Sequence, residues 1–132
     1  MGITRWDSAK QILTESSLDQ GWFAIPDQRF KKRYRDRYLK TFNVSPNDLS
    51  SLSYDAIALI GVILEKNNSN IMAHKFDKTY FSDQNGFIGI NGIFRFDHSG
   101  ENERALSIAE VDSGKFKIID QAPKSFEVNE TP

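Results

Sequence analysis

The sequence contains no cysteine, which excludes disulfides and every metal or catalytic site built on a thiolate. That absence fits a reducing compartment and a bacterial envelope equally, so it assigns neither. Only two histidines are present, His74 and His98. They stand far apart and neither has a second ligand at the short spacing of a metal site, so no metal and no cofactor are expected. Net charge is almost lacking: 17 Lys and Arg against 18 Asp and Glu leave a formal −1, too little for a global field that recruits nucleic acid or an anionic membrane. The longest apolar run, 56–64, is nine residues, where a membrane helix needs about 20. Residues 1–7 show neither the basic segment nor the apolar core of a secretory signal. There is no G-x-S-x-G elbow. Gly86, Gly89 and Gly92 are spaced by three and lead into a strand-like segment, unlike a dinucleotide loop. Carboxylates are plentiful, but nothing in the sequence sets two of them face to face. No catalytic residue is expected, and the protein is read as not an enzyme.

What remains is a globular composition. The 132 residues are 39% hydrophobic and 27% charged, with ten Phe, four Tyr and two Trp, enough for one domain with a real core. Asp7 or Ser8 is placed to cap a short helix to about Thr14. The run Gly21-Trp22-Phe23-Ala24-Ile25, ended by Pro26, reads as a buried strand. A helix is expected from Asp27 to about Phe42: Phe30, Tyr34, Tyr38 and Phe42 recur every four residues, and Lys and Arg fill the other faces. Interleaved cations and aromatics can bind nucleic acid. Here the rings share one stripe, so a solvated basic face over a buried aromatic one is the expectation, and no nucleic acid partner is assigned.

A second helix is expected over 46–65, with Ser45-Pro46-Asn47-Asp48 as its start signal. Leu49, Leu52, Ala56, Leu59, Ile60 and Ile63 keep 3/4 spacing. Apolar residues nearly all round 56–64 predict burial on more than one side. A short helix over 76–81 follows. Three strands close the chain, 93–96, 104–111 and 115–119, with turns at 97–100 and at Asp112-Ser113-Gly114. They read as a three-stranded antiparallel meander, and the strand near Trp22 has no sequential partner. The tail 127–132 is polar and expected to be disordered.

The glycine-rich stretch is the most specific part. Asn85-Gly-Phe-Ile-Gly-Ile-Asn-Gly-Ile-Phe-Arg-Phe, followed by Glu103-Arg-Ala-Leu-Ser-Ile-Ala-Glu-Val, looks like the C-terminal signature of type I periplasmic solute-binding proteins. That group includes the Leu/Ile/Val-binding proteins of ABC uptake systems and the penicillin-binding protein activator lipoproteins. Gly21-Trp-Phe-Ala-Ile-Pro-Asp, Phe30 with Tyr34 and Tyr38, and Ser53-Tyr54-Asp55-Ala56 fall in the same order, so the resemblance covers about 2–126.

The resemblance implies an α/β fold: the C-terminal portion of a two-lobed clamp, with residues 1–126 a partial domain that supplies the end of one lobe, two crossings and helices of the other. The strand near Trp22 would then find its partners outside this chain. It also implies a small-molecule ligand, an amino acid in the uptake branch, and partners such as an ABC permease or a peptidoglycan synthase. A periplasmic or envelope location follows for the whole protein, and a cytoplasmic one for these residues expressed as they stand, where a homo-oligomer is an option. Two stretches would line the cleft: the loop holding Thr4, where amino-acid binders of the family carry a carboxylate, and the helix segment from Leu49 to Tyr54. Thr4 in place of an acid points toward the activator-like branch. The competing expectation for Tyr54 is a place in a helix–sheet core. A nucleic-acid-associated protein using the helix 27–42 is the alternative from another class.

Overall fold

A computed structural model describes residues 6–8, 10–66 and 78–126. The described chain is α/β and divides into two compact units, one formed by 1–27 with 105–123, the other by 28–104 with 124–132. The chain therefore passes between them at 27–28, 104–105 and 123–124. Thr4 and the tail 127–132 lie outside the described residues.

The first unit is built on a three-stranded antiparallel sheet in the order β1 (Trp22–Pro26), β5 (Leu106–Asp112), β6 (Lys115–Asp120). Strand β1, expected to lack a partner here, pairs with β5 from Trp22↔Glu110 to Pro26↔Leu106. Alternation decides its faces: Phe23 and Ile25 are fully buried and Trp22 is exposed. Leu13 from α1 (Lys10–Leu13), Ala109 and Val111 complete this core, with Trp6, Phe116 and Ile118 packed at its margin. The Trp6 ring lies 5.4 Å from that of Phe23. Strands β5 and β6 join through Ser113 and Gly114, whose φ of 50° and 80° define the left-handed pair that a two-residue hairpin requires.

The second unit holds α2 (Lys31–Phe42), α3 (Ser50–Lys66) and an antiparallel sheet ordered β2 (Phe87–Gly89), β3 (Gly92–Phe96), β4 (Asn102–Arg104). The late strands thus divide between two sheets instead of forming one meander, and the glycine-rich stretch is itself a hairpin, β2–β3. Helix α2 starts at Lys31, four residues after the expected Asp27, which follows β1 and is fully buried. Asn43 ends it in the left-handed conformation, its N–H donating to the Leu39 carbonyl over 2.8 Å. Asn47 caps α3: its Oδ1 accepts the N–H groups of Leu49 and Ser50 at 3.0 and 2.9 Å.

The core of this unit is small. Leu59 and Ile63 of α3 meet Phe87 and Phe94, with Tyr80, Phe81 and Phe96 alongside. Only Ser51, Asp55, Leu59 and Ile63 of α3 are buried, an i, i+4 stripe, and α2 buries no residue. The expected all-round burial of 56–64 and the buried aromatic stripe of α2 are therefore not met. Tyr34 and Tyr38 are half-buried, Tyr34 against Tyr54 of α3, while Phe30, Phe42 and Ile57 stay exposed.

Candidate functional site

Helices α2 and α3 and the β2–β3 turn enclose an open groove of about 930 Å³. Its α2 wall is the aromatic series Phe30, Tyr34, Tyr38 and Phe42. These rings pack in sequence, 5.9 Å from Tyr34 to Tyr38 and 4.6 Å from Tyr38 to Phe42. The spacing of four brings each onto the same side of the helix, one turn after the last. Ser50, Ser53, Tyr54 and Ile57 of α3, with Leu49 in the turn just before it, form the opposite wall, and Ile88 and Ile90 the floor. Tyr54 is 48% exposed, its ring edge-on to Tyr34 at 5.6 Å. It lines the groove and does not enter a core. Leu49 is 68% exposed on the same wall. Two of the three residues singled out from sequence thus come together; the third, Thr4, is outside the described residues.

The groove's charge is positive at its edge. Arg33 and Arg37 line it and also face a basic ridge with Arg29, Lys32 and Lys40. Lys32 is paired to Asp36 at 2.6 Å, and its ammonium holds that carboxyl below its ordinary range. Neither Arg33 nor Arg37 makes an ion pair with a described residue.

Beneath the groove lies a polar knot. Asp55 is 4% exposed, and its Oδ1 accepts the Ile90 N–H at 2.7 Å. Asn91 Nδ2 donates to Ser51 Oγ at 2.9 Å and reaches toward Asp55 Oδ2 at 3.5 Å. The Arg104 guanidinium stands 4.0 Å from the same carboxylate and over the Phe94 ring at 4.8 Å. Burial lowers the Arg104 pKa, and the Asp55 charge works against that. One Arg104 nitrogen is buried without a hydrogen-bond partner. This knot fastens the hairpin tip to α3. Gly89 is what lets them approach, since a Cβ there would fall 2.6 Å from the Asp55 Cγ.

Among the described residues no group of three or more His, Asp or Glu is placed to hold a metal, and no helix is long and apolar enough to cross a membrane. His98 sits exposed in the 97–100 turn, and His74 is outside the described residues.

No family model and no curated protein matches the sequence. Solved structures do match. One is a protein of Rhodospirillum rubrum provisionally assigned as a branched-chain amino acid ABC transporter, with a TM-score of 0.67 and 16% identity over 80% of this chain and 32% of that one. The fold is part of the type I periplasmic binding protein fold. A leucine-binding protein of Thermotoga maritima also aligns, with a TM-score of 0.47 and 18% identity over 79% of this chain and 31% of its own. The chain spans about a third of the length of either.

The sequence signal for the rest of the groove is the four-residue aromatic spacing of α2, which marks a shared face without saying whether that face is covered. Ile57 and Ile88 gave none, because an apolar residue reads the same whether its face is covered or open.

Proposed function

We propose that the chain is part of a non-enzymatic solute-binding module of the cell envelope, of the kind that delivers amino acids to an ABC permease. The observation that carries this reading is the fold likeness over four-fifths of the chain. The residues assigned to ligand are Leu49, just before α3, and Tyr54 in its first turns, together with Thr4. Aliphatic and aromatic walls with hydroxyls at one end suit a small amphipathic solute. Closure is the mechanism: a ligand draws two lobes together only by binding the closed arrangement better than the open one.

The test is a thermal shift of the whole protein with leucine, isoleucine and valine. A rise in Tm is expected with at least one of them. A protein that stays silent at millimolar ligand loses the uptake reading and points instead to a regulatory role toward a peptidoglycan synthase. The 132 residues alone are expected to give no titration heat with any of the three, since they supply about a third of such a fold.

A further inference from the structure

Charge is spread unevenly along this chain of formal charge −1. Residues 29–40 hold seven of its 17 Lys and Arg and one of its 18 Asp and Glu, so that segment is +6 and the other 120 residues are −7. Helix α2 carries this excess against its own electrostatics. Its first turn is Lys31, Lys32 and Arg33 with no acid, where the positive end of the helix dipole favours carboxylates. Phe30 at its N-cap makes no side-chain cap hydrogen bond. Lys31 with Arg35, and Arg33 with Arg37, set like charges four residues apart. Lys32 has Asp36 at 2.6 Å, whereas Arg33, Arg37 and Lys40 form no ion pair with a described residue. Arg29, Lys32, Arg33, Arg37 and Lys40 lie together as one ridge. Cations gathered at the expense of the helix that holds them point to an anionic surface that offsets the strain.

We infer that this ridge is a membrane contact, by which α2 lies on the phosphate layer of an anionic lipid bilayer. Long basic side chains reach lipid phosphates with their charged ends, and apolar residues beside them enter the boundary between headgroups and acyl chains. Both kinds are present. Leu39, 46% exposed, lies one turn after Arg35 and two after Lys32 on the same side of the helix. Val44, 57% exposed, follows directly on the C-cap Asn43. Neither lines the groove assigned to solute. Such aliphatic side chains find no counterpart on a nucleic-acid backbone, and the rings that would stack bases, Tyr34 and Tyr38, are half-buried on the groove side. The contact is local, within a screening length of about 8 Å at physiological salt, so the negative charge of the remaining chain does not cancel it. The inference depends on α2 alone and stands or falls apart from the solute reading.

The experiment is co-sedimentation of the protein with vesicles of phosphatidylcholine alone and of phosphatidylcholine mixed with phosphatidylglycerol, with a DNA duplex as the competing polyanion. At about 0.1 M salt the protein should pellet with the anionic vesicles and bind the neutral ones about tenfold more weakly or less. Binding should vanish near 1 M salt, where the screening length falls to roughly 3 Å. Arg37→Gln with Lys40→Gln should weaken it about tenfold or more at an unchanged far-UV CD spectrum, because glutamine keeps the helix propensity. Lys115→Gln with Lys124→Gln removes the same charge from two exposed positions off the ridge and should weaken it by less than about twofold. Leu39→Ala should weaken binding and leave its salt dependence unchanged. No pelleting with anionic vesicles, equal binding to neutral ones, equal losses in the two double variants, or displacement of the vesicles by the duplex would each overturn the inference.

Discussion

Gly89 and Asp55 depend on each other. The glycine admits the carboxylate, and the carboxylate holds the Ile90 N–H and neutralises Arg104. Gly89→Ala should lower stability by about 2 kcal/mol, because backbone or Asp55 must shift. Asp55→Ala should cost on the order of 3 kcal/mol, since it leaves a part-buried N–H and a half-buried guanidinium unanswered. Urea midpoints read both, and equal midpoints for wild type and Gly89→Ala would show the approach to be looser than drawn. A second residue-scale effect concerns Glu110, which accepts from the Lys117 ammonium and the Trp22 indole N–H at 2.8 Å each. Those two donors, Lys117 first, hold its pKa below the ordinary carboxylate range. A depressed folded-state pKa stabilises above the unfolded value, and the contribution is lost as pH falls through the folded one. Acidification should therefore perturb Trp22 emission at the bottom of the carboxylate range, and Glu110→Gln should flatten that response. Both partners are exposed, so the effect on global stability is small.

Within single elements, α3 separates what burial does from what hydrophobicity alone suggests. Leu59→Ala, in the buried stripe, should cost about 3 kcal/mol. Ile57→Ala, two residues away on the open wall, should change stability by less than about 0.5 kcal/mol. Thermal denaturation of the two variants gives the comparison, and matching losses would mean that the open wall is covered in solution. The same helix shows how far the sequence can be read. Its existence and its C-terminal end were legible in the 3/4 spacing of apolar residues and the polar run after Lys66. Its buried face was not, because Leu49, Leu52 and Ile60 carry the same pattern as Leu59 and Ile63. Periodicity tells which residues can share a face, whereas the neighbour that covers a face is a property of distant chain. In α2 the aromatic stripe was legible and its exposure was not, for the same reason. The Ser113–Gly114 hairpin was readable because its geometry is set by two adjacent residues.

At the level of the whole molecule, the two compact units carry separate cores. Both tryptophans, Trp6 and Trp22, belong to the first, while α2 and α3 belong to the second. Tryptophan fluorescence and far-UV CD should therefore report different unfolding transitions in denaturant, and coincident curves would mean that the units unfold as one. Membership of these units was the least legible feature. Each is stitched from segments far apart, and Thr4, Leu49 and Tyr54 could be assigned to a cleft only through resemblance. The pairing of β1 with β5 also sets a schedule for the newborn chain. Trp22 meets Glu110 across 88 positions of sequence, so at about 5–20 residues per second the ribosome keeps β1 waiting for roughly 4–18 s. Over that interval Phe23 and Ile25 emerge without their strand, and a chaperone that favours short aliphatic stretches would find them first.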